Sequence, residues 1–353
     1  MNKILSVVGA RPQFIKSAPV SRALLQAGIR EVLLHTGQHY DQAMSGVFFN
    51  ELGIREPDYN LCVGSGSHAT QTAAMLTGIE RVLLGERPDA LLIYGDTNST
   101  LAGALAAAKL GVPIAHVEAG LRSNNRSMPE EINRVVADSL SSILFCPTGV
   151  AAYNLEQEGI GKGVYIVGDV MYDAVLWAIE QQHGTSASIL ARLDATSGHY
   201  ILATVHRASN TDDHRNLASI MSALGASGET VIFPVHPRTR KAMQDAGINP
   251  APNVRAIEPV SYLEMLALEK NARRIVTDSG GVQKEAFWLG VPCITVRDET
   301  EWVETVESGW NTLAGTAPER ILSALQLHRP EGAPPQFYGD GHAARTIAEI
   351  LHG

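Results

Sequence analysis

The sequence predicts an α/β protein of two Rossmann-like domains facing across a cleft. Two observations predict the class, and a third predicts the number of domains. Short apolar runs alternate with helix-like segments along most of the chain, the pattern of a parallel, doubly wound sheet. The strand-like runs are apolar nearly throughout, as strands covered by helices on both faces are. The length of 353 residues suits two cores better than one.

In the first half, β-rich runs fall at 4–8, 31–35, 90–94, 114–117, 143–146 and 164–167. Helical patterns lie between them, notably 71–84 and 101–110, the latter closed by Gly111 in a C-cap position. Gly168-Asp169-Val170-Met171-Tyr172-Asp173 marks a boundary, and a weakly patterned stretch, 181–196, follows. Alternation resumes with strands expected at 201–204, 231–235, 254–257, 274–277 and 293–296. A helix is expected over 341–351, after the Pro/Gly-rich stretch 329–335. The domains are therefore placed at 1–168 and 169–340. No repeat and no low-complexity tract interrupts them.

Composition excludes several classes. Hydrophobic residues make up 45% and charged residues 18%, the balance of a globular chain and not a disordered one. The net charge is 28 − 37 = −9 with no basic block, which argues against nucleic acid as a partner. It leaves room for a small anion in a local basic pocket. Cys62, Cys146 and Cys293 are scattered without metal-ligand spacing, so thiols in a reducing compartment and no metal site are expected. No apolar run approaches ~18 residues, and the opening run is too short for a signal peptide. The expectation is a cytoplasmic protein with no membrane contact.

Ligands of open α/β sheets bind outside the carboxyl ends of the strands, so the polar clusters that follow strands are the candidate site residues. After the first strand, Arg11 and Lys16 flank a helix start where both could reach phosphate. After the second come Gln38 and His39, able to bind sugar hydroxyls or to serve as turn residues. Asp96 follows the 90–94 strand. It is either a catalytic carboxylate or, like Thr97 and Asn98, a helix cap. Glu118 ends the next strand, where burial would raise its pKa toward acid–base work. Pro129 suits a first helical position, and Glu130 shares a face with Arg134 at i, i+4, with Glu131 expected to turn away. In the second domain His206 and Arg207 follow one strand, and His236 and Arg238 follow the next. Two histidines at strand ends suit charge stabilisation at a phosphate. The segment 297–302 crowds charges after the last expected strand. Finally, Asp278-Ser279-Gly280-Gly281 joins a strand to a helix. Two glycines there let the backbone approach an anion with free N–H groups, and Glu285 lies one turn further in.

Together these residues resemble the non-hydrolysing UDP-N-acetylglucosamine 2-epimerase family. The resemblance is carried by Gly-Ala-Arg-Pro (9–12), Tyr-Gly-Asp-Thr-Asn-Ser-Thr (94–100), His-Val-Glu-Ala-Gly-Leu-Arg (116–122), Pro-Glu-Glu-Ile-Asn-Arg (129–134), Val-His-Arg (205–207), Pro-Val-His-Pro (234–237) and Thr-Asp-Ser-Gly-Gly-Val-Gln-Lys-Glu (277–285). It implies a glycosyltransferase-B-like fold, with the last helix, 341–353, crossing back to the first domain. It implies inversion at C2 of a UDP-sugar, by loss and re-addition of UDP through a 2-acetamidoglucal, with no cofactor. Asp96, Glu118 and Glu130 would be acid/base carboxylates, and His206 would assist near the departing phosphate. Arg11, Lys16, Arg134, His236, Ser279, Gly280, Gly281 and Glu285 would bind UDP or the sugar. Gln38, His39, Gln71 and Arg207 match an activator site of bacterial members, although Thr70 stands where an Arg is expected. Gln13 and Ser209 stand where many members carry Glu. Segments 11–16 and 300–305 look most like the branch acting on UDP-2,3-diacetamido-2,3-dideoxyglucuronate. A homodimer serving polysaccharide biosynthesis is implied. The reading from another class is a UDP-sugar-dependent glycosyltransferase, because fold alone does not fix chemistry. A UDP-sugar sensor without turnover is a third.

Overall fold

The computed structural model describes residues 1–38, 53–181 and 184–353. His39 and the segment that follows it, to 52, lie outside the described residues. The chain divides into two compact units, one of residues 1–177 with 336–353, the other of residues 178–335. The division falls after Trp177, where the sequence suggested Gly168, and the return falls at Gln336, ahead of the expected 341.

In the first unit the strands are β1 (Lys3–Val8), β2 (Arg30–His35), β3 (Tyr59–Asn60), β4 (Ala90–Tyr94), β5 (Ile114–Val117), β6 (Ile143–Cys146) and β7 (Val164–Ile166). They form a parallel sheet in the order β3-β2-β1-β4-β5-β6-β7. The helices are α1 (Arg11–Gln26), α2 (His68–Glu86), α3 (Asn98–Leu110), α4 (Pro129–Leu140), α5 (Gly149–Gln157), α6 (Val170–Gln181) and, from the end of the chain, α15 (Ala343–His352). Leu5, Val7, Leu91 and Ile93 of the central strands and Met75, Ile79 and Ala104 of α2 and α3 fill one core. Gly111 caps α3 in the left-handed conformation, as its position suggested.

In the second unit the strands are β8 (Ile201–Thr204), β9 (Val231–Pro234), β10 (Val254–Ile257), β11 (Arg274–Thr277), β12 (Cys293–Thr295) and β13 (Asn311–Leu313), in the order β10-β9-β8-β11-β12-β13. The helices are α7 (Thr185–Arg192), α8 (Ala208–Thr211), α9 (His214–Ala226), α10 (Pro237–Asp245), α11 (Tyr262–Asn271), α12 (Gly280–Trp288), α13 (Val303–Glu307) and α14 (Pro318–Leu325). Both sheets follow the Rossmann order, in which the first strand lies beside the fourth and the winding reverses between them. The expected fold class is borne out. No described helix is long and apolar enough to cross a membrane.

The terminal helix α15 buries Ala344, Ile347, Ala348 and Leu351 and packs on α1. Its first turn lacks a cap from its own residues, and Asp173 of α6 supplies one. The Ala343 and Ala344 N–H groups donate to the two oxygens of that carboxylate, at 3.2 and 2.8 Å. Burial nevertheless outweighs these bonds and lifts the Asp173 pKa to about 6. A raised carboxyl pKa means stability that is full below the unfolded value near 4 and declines as pH rises through about 6. Wild-type stability in urea, measured against Asp173→Asn at each pH, is therefore expected to fall between about pH 4 and pH 6 and then level off. A flat difference would contradict this.

Candidate active site

The first unit's winding reverses between β1 and β4, and the chain leaving each carries site residues. After β4 the backbone turns through Gly95 at φ +60, a conformation that side chains resist. A Cβ at Gly95 would also lie 3.1 Å from Lys16 Nζ and 3.2 Å from Glu118 Oε2. Those two groups form a buried ion pair directly against the turn. Lys16 is therefore not the surface lysine its composition would suggest, since only 7% of it is exposed. Glu118 sits at φ +70, a strained position for a non-glycine residue. It is held there by two N–H groups, its own and that of Ala119, which both donate to the Phe145 carbonyl at 3.1 and 3.0 Å.

Asp96 follows Gly95. The cap of α3 is Thr97, whose hydroxyl accepts from the Thr100 N–H, so Asp96 is released from that duty. Its carboxylate pairs with Arg134 of α4 and remains 30% exposed. Arg134 pairs in turn with Glu131 at 3.0 Å, one helical turn back. This corrects the expectation for the two neighbouring glutamates. Glu131 is the buried one, because its carboxylate also accepts the Ser123 N–H and hydroxyl and the Asn124 N–H at 2.9–3.0 Å. Glu130, in the first turn of α4, is exposed and takes no part in the Arg134 cluster.

Sequence reasoning missed the support beneath this cluster. His116 of β5 is fully buried, with one ring nitrogen 2.7 Å from the Gly95 carbonyl and the other 2.7 Å from Asp138 of α4. Asp138 also accepts the Gly120 N–H at 3.1 Å and Arg122 at 2.7 Å. Burial pushes the Asp138 carboxyl up, but His116 and Arg122 outweigh it and hold it below the ordinary range. The available signal was spacing, since Asp138 lies i+4 from Arg134 and shares its helix face.

Arg11 opens α1. Gln38 and Gln71 are joined through the Gln71 amide, which donates to the Gln38 carbonyl at 3.3 Å and the Gly64 carbonyl at 2.8 Å. The Gln38 side chain accepts from Ser99, at 3.0 Å from its N–H and 2.7 Å from its hydroxyl.

In the second unit the winding reverses between β8 and β11, so Val205-His206-Arg207 and Asp278-Ser279-Gly280 leave neighbouring strands. Asp278, fully buried, ties the two together. It accepts the N–H groups of His206 (3.0 Å) and Arg207 (2.9 Å) and the Asn210 amide (3.0 Å). Its Oδ1 lies 3.5 Å from His206 Nδ1. The His206 ring stands 5.7 Å from that of His236. His236 caps α10, its Nδ1 accepting the Arg238 N–H at 3.2 Å. Arg238 is committed to Asp212 and Thr211.

The Ser279 N–H donates to Thr277 Oγ1 at 2.9 Å, and its hydroxyl caps α12 by accepting the Val282 N–H at 3.4 Å. The donors without a partner among the described residues are the N–H groups of Gly280 and Gly281, at the positive end of α12. A Cβ at Gly280 would meet Trp302 Nε1 at 3.2 Å, so a larger residue would need the indole to give way slightly. Glu285 is buried in the second turn of the same helix. Arg207 lies 4.0 Å from Glu301. Burial raises the Glu301 carboxyl, but the Arg297 hydrogen bonds outweigh it and hold its pKa at about 2.

A protein-family model described as UDP-N-acetylglucosamine 2-epimerase matches residues 22–352. The chain belongs to this family. A UDP-N-acetylglucosamine 2-epimerase homolog from Methanococcus maripaludis is 53% identical over 99% of both chains. The UDP-2,3-diacetamido-2,3-dideoxy-D-glucuronate 2-epimerase of Pseudomonas aeruginosa is 50% identical over 99% of both. The crystal structure of Methanocaldococcus jannaschii UDP-GlcNAc 2-epimerase in complex with UDP-GlcNAc and UDP superposes with a TM-score of 0.91, at 42% identity and 99% coverage of both chains. The protein is thus an isomerase of the epimerase class with the glycosyltransferase-B-like fold class, and transfer to an acceptor is the less supported chemistry.

The Gln13 departure from the epimerase pattern now has a physical reason. Its carbonyl oxygen accepts the Gly9 and Ala10 N–H groups at 2.8 and 3.1 Å. Its amide donates to the Tyr94 carbonyl at 2.8 Å and to Thr100 at 3.1 Å. A carboxylate cannot make the second pair of bonds. Gln13→Glu is expected to cost about 1–3 kcal/mol of unfolding free energy at neutral pH and to recover in acid, where the carboxyl regains a proton. Equal stability at pH 8 would refute the assignment.

Proposed function

We propose that the protein inverts C2 of a UDP-2-acetamido sugar, interconverting UDP-GlcNAc and UDP-ManNAc. In this reading a carboxylate of the first unit takes the C2 proton while the C1–oxygen bond to the diphosphate breaks. The products are UDP and a 2-acetamidoglucal with a C1–C2 double bond. Return of a proton to C2 on the other face, with attack of the diphosphate oxygen on C1, closes the cycle. The carrying observation is the cluster at the first unit's winding reversal, where Lys16–Glu118 and Arg134–Asp96 flank one glycine turn. A C2 proton has a very high pKa, so its removal requires a positioned base and a stabilised leaving phosphate. Glu118, Asp96 and the exposed Glu130 are the acid/base candidates. The Gly280 and Gly281 N–H groups, with His206 and His236, are the groups suited to the diphosphate, and Glu285 is suited to the ribose. Arg11 adds a cation for the anionic substrate.

A second reading keeps the chemistry and changes the substrate to UDP-2,3-diacetamido-2,3-dideoxyglucuronate, supported by the Pseudomonas aeruginosa relative named for it. A proton NMR time course in D2O with each sugar nucleotide tests both. The expected result is deuterium at C2 and growth of the epimer with one of the two substrates. Epimer without deuterium would refute elimination and re-addition, and no epimer with either would refute the function.

A further inference from the structure

The second unit carries a cavity at the edge opposite its site residues. It encloses about 550 Å³ and is bounded by the segments that enter β8, β11 and β12. The Ser279 turn leaves the other end of β11, about 16 Å away at the rise of a strand. Five basic side chains line the cavity, Lys270, Arg273, Arg274, His328 and Arg329, and no Asp or Glu does. That is notable in a chain whose net charge is −9.

The ordinary explanation is that these cations offset helix carbonyls. Helices α11, α12 and α14 end here, and cations gather at the negative ends of helices. That explanation accounts for part of the set. Arg273 is bidentate to Glu229, at 2.6 and 2.5 Å, and reaches the Leu325 carbonyl at 3.5 Å. One arm of Arg274 donates to the Leu327 carbonyl. It leaves the remainder unexplained. Arg274 is only 5% exposed, yet its Nε donor is buried with no partner among the described residues. No described carboxylate lies within ion-pairing distance of that guanidinium. Burial, and then repulsion from Arg273, lower its pKa, so the arrangement is electrostatically unfavourable as it stands. Lys270 and His328 have no described hydrogen-bond or ion-pair partner, and Arg329 lies over the Trp310 ring, 5.6 Å from its centroid.

Arg274, Lys270 and Arg329 lack a described carboxylate partner, and cations gathered in this way suit an anion that arrives from solution. Guanidinium groups pair with phosphate oxygens through two parallel hydrogen bonds, and the volume lies within the range of small-molecule sites. We propose that this cavity is a second ligand site, which binds a small multiply charged anion bearing phosphate groups, with Arg274 as its inner contact and Lys270 and Arg329 at its mouth. The apolar walls, including Leu289 and Val291, suit a ligand that also carries an uncharged portion.

Inorganic pyrophosphate titrated calorimetrically into the full chain, already saturated with UDP, tests this. The expected result is saturable binding that persists under UDP. Affinity should fall at least roughly tenfold in Arg274→Met and in Lys270→Ala/Arg329→Ala, with UDP affinity and turnover unchanged. The second variant alters only exposed side chains, so it remains decisive if the first fails to fold. Absence of saturable binding under UDP, or equal affinity in the surface variant, overturns the proposal. Should UDP itself fail to bind, the epimerase reading fails, while the cavity variants still report on this site.

Discussion

Glu118→Gln is expected to abolish C2 exchange, lowering turnover by about 10²–10⁴-fold, the usual contribution of a positioned acid or base. A stability loss should accompany it, because Lys16 would remain buried beside a neutral amide. Removing one member of a buried pair costs about 3–5 kcal/mol, since the other charge is left uncompensated. The two effects can be separated. Adding Lys16→Met removes the stranded charge at similar volume, so the double variant should recover most of the unfolding free energy. It should not recover turnover. A folded Glu118→Gln enzyme that works within tenfold of wild type would rule out Glu118 as an acid or base.

Asp278→Ala is the second large effect. The carboxylate takes the backbone N–H groups of His206 and Arg207 and the Asn210 amide, all within 2.9–3.0 Å. Its loss leaves several donors unsatisfied around a fully buried position, each worth about 1–3 kcal/mol. A fall of about 3 kcal/mol or more in unfolding free energy is expected from urea titration. Turnover should fall as well, because the carboxylate takes the N–H groups of both His206 and Arg207 and so fixes the backbone that presents the His206 ring. Asp278→Asn keeps one acceptor oxygen and should lie between alanine and wild type in both measurements. If Asp278→Ala matched wild type in both, the carboxylate would have no positioning role.

The strands that carry the sites were legible because they are buried on both faces and read as apolar runs. Residues 90–94, 114–117 and 201–204 match the observed strands at both ends. The two missed strands lie at sheet edges. β3 has only two residues, both exposed, and β13 has one buried residue of three, so neither shows the apolar run that reveals a central strand. Candidate residues were legible wherever a polar cluster followed a strand. Their partners were not, because partner choice is a tertiary matter. Spacing alone allowed Arg134 to meet Glu130 or Glu131, and the Ser123 and Asn124 N–H groups draw Glu131 inward. The Ser279 turn was recognised as an anion cradle, but its own first amide is consumed by Thr277. Asp138 and His116 escaped notice because a buried histidine in a strand resembles core filling.

The position of α15 in the first unit has a consequence for synthesis on the ribosome. The face of α1 that Ile347 and Leu351 cover is made early, yet its cover lies beyond all of residues 178–335. At ordinary translation rates that interval is on the order of ten seconds or more, long enough for the second unit to fold by itself. The first unit is therefore completed only after the second has been made, and its apolar seam stays open to chaperones until α15 emerges.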